Sequence, residues 1–130
     1  MDNHRFQPGF RFFTVDGVIL AVGAVLAAWL MREHFWIGVG VAFVVAHFFL
    51  FCNIVRMSRP LELVWSGVFV VVATLAAIEV IQWPVSLAIA LATTAILVTI
   101  EARRVSYHGV GWQVINPRLP EWWEGQQGNE

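Results

Sequence analysis

The residues able to do chemistry fall in three places. His47 stands thirteenth of 21 residues in the apolar run Phe35–Val55. Glu79 lies three residues before Gln82-Trp83-Pro84. The third place is a polar set at the ends of the apolar runs: Asp16, Asn53, Arg56, Arg59, Glu62, Glu101, Arg103 and Arg104, with Cys52 beside Asn53. An ionisable group inside an apolar segment is costly and marks function by default, so each needs a stated use.

His47 suits three roles. Paired with a second histidine at matching depth it would ligate haem, but His4, His34 and His108 lie in tails or a loop, so no haem is expected. A proton relay or substrate contact is the sharper use. A neutral imidazole hydrogen-bonded to a neighbouring helix is the plainer one. Glu79 is read as a near-interface carboxylate reaching the headgroups and pairing with Arg32, or else as a proton- or cation-coupling group. Within the polar set, Asn53 and Arg56 are three apart and share a helix face. Arg56 and Glu62 are placed to pair across the turn between two apolar runs, giving a salt-bridge lattice. The functional reading of the same patch, Asn53, Arg56, Arg59, Glu62, Arg103 and Arg104, is a headgroup or partner site, since arginine forks bind phosphates and carboxylates in bidentate fashion. Cys52 reads as a small apolar filler, because no metal or nucleophile constellation surrounds it.

The elements that position these residues are membrane helices. Hydrophobic residues make up 58% of the 130, and charged residues only 13%. Soluble domains carry about 25% charge, and a chain this small has no interior for so much apolar surface. Four runs approach the ~20 residues needed to span a bilayer: about 15–31, 35–55, 61–82 and 84–100. None shows the alternation of a membrane strand. Short breaks at Arg32-Glu33-His34, Arg56 to Pro60 and Trp83-Pro84 make sequential helices antiparallel, so the expected fold is all-α, an up-down-up-down bundle. An aromatic, arginine-bearing arm (1–14) precedes the bundle domain (15–104), and an interfacial tail (105–130) follows it. Pro117 and Pro120 break that tail, and Gln126 to Glu130 is expected to be disordered. No small-residue cleavage site follows the first run, which is therefore read as a retained helix.

Arginine sets the orientation. Arg5, Arg11, Arg56, Arg59, Arg103, Arg104 and Arg118 fall on one side of this topology and Arg32 alone on the other. The positive-inside rule then puts both termini in the cytoplasm, in what we read as a bacterial inner membrane. Trp29, Trp36 and Trp83 would form the outer aromatic belt, with Trp65 and Trp112 at the inner one. Small residues recur at helical spacing: Gly17, Ala21, Ala24, Ala28; Gly38, Ala42, Ala46; Ser66, Ala73, Ala77; and Ala88, Ala92, Ala95, Thr99. Such stripes let helices approach closely in lipid, and their expected use is packing within the bundle, with self-association as the alternative.

A net charge of −1 gives no footprint for nucleic acid. No phosphate-binding loop, nucleophile elbow or metalloprotease motif occurs, and no metal or cofactor is expected. Length and span count are similar to those of small multidrug transporters and single-component fluoride channels. The first helix, however, carries only Asp16, at its edge, where the small multidrug transporters carry a glutamate well inside, so no residue role is carried over. The resulting expectation is a non-enzymatic accessory or scaffold subunit that meets the bilayer and a larger membrane partner through its tails. The alternatives are a homo-oligomeric transporter or channel coupled through His47 or Glu79, and a lipid-headgroup enzyme acting at the cytoplasmic face.

Overall fold

The computed structural model describes residues 6–129; His4 and Arg5 at the start of the arm, and Glu130 at the end of the tail, lie outside them. Those residues are all-helical, with no strand among them. Four helices of 19–20 residues are long and apolar enough to cross a membrane: Thr14–Glu33, Phe35–Ile54, Arg59–Ala77 and Trp83–Ala102. At ~1.5 Å per residue each reaches about 30 Å, the thickness of a hydrocarbon core. We label these α1, α2 (Phe35–Phe49, continued by a π-helical turn, Leu50–Ile54), α3 and α4; the tail adds α5 (Trp112–Ile115) and α6 (Leu119–Gln127).

The chain sets these boundaries by recognisable means. Pro60 and Pro84 sit in the first turns of α3 and α4, where a missing N–H costs nothing. Asp16 folds back to accept the Phe13 N–H at 2.8 Å and so closes the start of α1. The third span ends at Ala77, not at Gln82 as its hydropathy suggests. Glu79 takes a left-handed conformation (φ 63°), and the Val80 N–H reaches the Leu75 carbonyl at 2.9 Å. That bond closes the helix as glycine usually does, here at a non-glycine residue. In the tail, helix breaks between Ile115 and Leu119, around Pro117, and Pro120 sits in the first turn of α6, which runs to Gln127.

Two helix pairs dominate the packing, α1 on α2 and α3 on α4. Three of the four small-residue stripes do not make these contacts. Ala21, Ala24 and Ala28 of α1 are exposed, as are Ala88, Ala92, Ala95 and Thr99 of α4. On α3, Ser66 and Ala77 are exposed and only Ala73 is part-covered. The face of α1 that meets α2 is one residue round, with Ala27 buried and Gly23 lying so close to Val45 that a Cβ there would stand 2.6 Å from its side chain. Gly38 of α2 does serve close approach: a Cβ would stand 2.7 Å from the Ala27 carbonyl. Of the four stripes only the second, through Gly38 and Ala42, turns inward in the manner expected.

Large side chains fill the interior instead. Phe51, Val55, Met57, Trp65, Ala90, Leu97 and Tyr107 form one buried cluster, with Phe43 and Phe69 packed on it. Trp65 is its centre, not a belt residue. It is 4% exposed, stacks on His47 (centroids 4.7 Å) and Phe69 (5.2 Å), and donates its indole N–H to Thr94 Oγ1 at 2.8 Å. The Thr94 hydroxyl in turn donates to the Ala90 carbonyl at 2.9 Å, so the pair is satisfied inside the bundle.

Candidate functional site

The polar chemistry gathers around the π-helical turn. There the backbone bonds to partners farther back than an α-helix allows: Val55 N–H to the Leu50 carbonyl and Met57 N–H to the Phe51 carbonyl, both 2.8 Å. The carbonyls of Asn53 and Ile54 are thereby free for other segments. Asn53 O accepts the Arg11 N–H of the arm at 3.2 Å, and Ile54 O accepts the Val110 N–H of the tail at 2.8 Å. Gly109 makes the second approach possible, because a Cβ at that position would stand 2.5 Å from the Val55 carbonyl. Arm and tail also meet each other. Gly9 N–H donates to His108 O at 2.7 Å, and Phe6 packs edge-on against Trp112 and Trp123.

Asn53 is the hub. It is fully buried, and its amide donates to the Arg11 carbonyl and, at 3.0 Å, to Asp16 Oδ2. Asp16 thus caps α1 and receives Asn53 with one carboxylate oxygen. A single side chain of the second span therefore fixes both the arm and the start of the first. Sequence position placed Asn53 in the patch; its role as a tie between arm and bundle carried no signal there.

The expected Arg56–Glu62 pair does not form. Arg56 sits in the left-handed region (φ 53°), and its guanidinium donates to the Gln7 carbonyl at 2.5 Å. The turn at Arg56 aims the side chain at the arm. Its Nε is buried with no hydrogen-bond partner among the described residues. Burial, with Arg11 close by, lowers the pKa of Arg56 from its ordinary value. Glu62 instead faces the Cys52 thiol, Sγ to Oε1 3.7 Å. The salt bridge found among the described residues joins Glu101, at the end of α4, to Arg104 just beyond it, 3.7 Å apart. Glu101 is 3% exposed and also accepts the Ser58 hydroxyl at 3.1 Å, while Arg104 donates to Ser58 Oγ at 3.0 Å. Sequence reasoning missed Ser58, which ties the α2–α3 turn to the end of α4.

The six patch residues therefore divide. Arg56, Arg59 and Glu62 line one cleft of about 450 Å³ with Arg11, Cys52 and His108. Asn53 is buried among the bonds that hold the arm. Arg103 and Arg104 line a different groove, with Arg118. Tyr107 closes the core beneath; it is 4% exposed and donates to the Val110 carbonyl at 2.7 Å. Burial, and then the Glu101 carboxylate, push its phenol up from the ordinary value.

The two intramembrane candidates stand apart from this lattice. His47 is 7% exposed, and its Nδ1 lies 2.8 Å from the Phe43 carbonyl of its own helix. A carbonyl only accepts, so the proton sits on Nδ1. The expected bond to a neighbouring helix is replaced by stacking on Trp65. Glu79 is exposed and lines a cleft of about 710 Å³ with Trp36, Gln82 and Trp83; no ion pair joins it to Arg32. Among the described residues no cluster of His, Cys, Asp and Glu suits a metal.

No protein family, curated protein or solved structure matches the chain.

Proposed function

We propose that this chain is a non-enzymatic accessory or scaffold subunit whose membrane helices seat those of a larger partner. The observation that carries the reading is the outward setting of the small residues on α1 and α4. Inside a bundle, Ala21-Ala24-Ala28 and Ala88-Ala92-Ala95-Thr99 would have a packing role; here they have none. Facing lipid, a small-residue face gains little over leucine unless another helix approaches it, because close backbone contact is what such stripes provide. Thr99 supports the same use, since its hydroxyl is spent on the Ala95 carbonyl at 2.7 Å and adds no exposed donor.

Orientation belongs to the same proposal. An up-down-up-down bundle with cytoplasmic termini puts Arg11, Arg56, Arg59, Arg103, Arg104 and Arg118 on one rim and Arg32 on the other, as the positive-inside rule asks. The lattice of arm, π-turn and tail would then be a fixed cytoplasmic platform beside the partner. The setting of His47 favours this over transport, since its ring is stacked and bonded within its own helix.

Purification of the full chain from its native membrane in a gentle detergent, with mass analysis, tests the proposal. A second membrane polypeptide at fixed stoichiometry is the expected result. A homo-oligomer with no second polypeptide would overturn it and promote the transporter.

A further inference from the structure

Between the end of α4 and the tail lies an open groove of about 690 Å³, within the ~300–1,000 Å³ of small-molecule sites. Its polar side is cationic: Arg103 and Arg104 at the end of α4 and Arg118 from the tail. No acidic residue lines it. Its other wall is apolar, with Val98 on α4, Val105 in the turn and Ile115 at the end of α5. Val98 lies within the last turns of a membrane-crossing helix, while Arg118 lies beyond its end, so the groove runs from the apolar layer to the rim.

Both walls are held in place. Asn116 is 8% exposed and donates from its amide to the Val105 carbonyl at 2.6 Å and to the Tyr107 carbonyl at 3.0 Å. Leu119 is fully buried. Arg118 therefore stands between two anchored residues, one of them tied to the turn that follows α4. Arg104 gives only part of its five donors to Ser58 and Glu101. Arg103 and Arg118 are exposed. Arg104 keeps Glu101 as its partner, whereas Arg103 and Arg118 line the groove with no carboxylate in it, so an anion there meets uncompensated positive charge. Planar forks match phosphate best.

We propose that this groove binds the phosphate ester of an anionic phospholipid, with the phosphate between Arg103, Arg104 and Arg118 and the first acyl carbons along Val98 and Ile115. The inference does not rest on the scaffold reading, although Thr99, at the end of the α4 face assigned there to the partner, also lines the groove. A soluble phosphate ester shares the same headgroup chemistry, but it would leave the apolar wall unused.

The test uses the purified, delipidated full chain and three probes: short-chain phosphatidylglycerol, phosphatidylcholine of the same chain length, and glycerol 1-phosphate. A basic residue near an anionic lipid contributes about fivefold in affinity, so Arg103→Gln with Arg118→Gln should weaken phosphatidylglycerol binding about 25-fold. Arg32→Gln, at the far end of α1, should leave it unchanged. Phosphatidylcholine and glycerol 1-phosphate should both bind much more weakly. Should the double variant lose its helical signal, Arg118→Gln alone decides, with about a fivefold loss expected. Unchanged phosphatidylglycerol binding in a folded variant, or equal binding of phosphatidylcholine, would overturn the site. Glycerol 1-phosphate binding as tightly as the lipid would overturn the lipid assignment.

Discussion

Trp65 and Thr94 offer a sharp test of where this bundle is held together. The indole is 4% exposed, stacked between His47 and Phe69, and donates at 2.8 Å to a threonine on α4 that already donates to its own helix. Thr94→Val keeps shape but removes the acceptor, leaving a buried N–H unpaired at about 1–3 kcal/mol. Trp65→Phe removes the donor together with part of the ring. Because each single change breaks the same bond, the double variant should lose less than the sum of the two. The shortfall is the pair's coupling, about 0.6 kcal/mol on average between membrane helices and up to ~1.7. Trp65→Ala opens a cavity in the aromatic stack and should cost about 3–5 kcal/mol. Equilibrium unfolding in mixed micelles, followed by far-ultraviolet circular dichroism, measures all four variants. Zero coupling, together with a Trp65→Ala variant within about 0.5 kcal/mol of the parent, would refute a core built on this indole.

Three further outcomes follow from the rim. Asn53→Ala should cost about 1–3 kcal/mol, because the Arg11 carbonyl and Asp16 lose their donor, and limited proteolysis should then cut the arm near Arg11 faster than in the parent. Tyr107 is the single tyrosine, so the tyrosinate absorbance band reports it alone. Its folded pKa is raised, so its contribution to stability is whole below the unfolded value near 10 and is lost as pH rises through the folded one; ionisation at or below that value would contradict the buried phenol. In a Cys52→Ser background, a cysteine at His34 should react with an impermeant thiol reagent on intact cells and one at Ser58 should not; the reverse pattern overturns the orientation.

The four spans were legible because lipid asks for length and apolarity, and both are written in single residues. Pro60 and Pro84 marked helix starts for an equally local reason. What the sequence hid depends on direction. Around a lipid-facing helix every side is apolar, so spacing alone picks out the Ala88-Ala92-Ala95-Thr99 stripe but cannot say whether it faces inward. Nothing in Leu50–Ile54 departs from helical composition, so the π-turn that frees the Asn53 and Ile54 carbonyls left no trace. Arg56 and Glu62 are neighbours in sequence, but the left-handed turn at Arg56 sends its guanidinium to Gln7. Residue types marked the rim as polar, and the backbone decided which partners met.

If the scaffold proposal holds, the outward small-residue face of α4 seats a helix of another protein. A photoreactive amino acid at Ala92, with the buried Ala90 as the control position, tests it in native membranes. The expected result is one covalent adduct at Ala92, to a single membrane polypeptide distinct from this chain, and none at Ala90. Adducts at Ala92 to lipid alone, or only to a second copy of this chain, would contradict it.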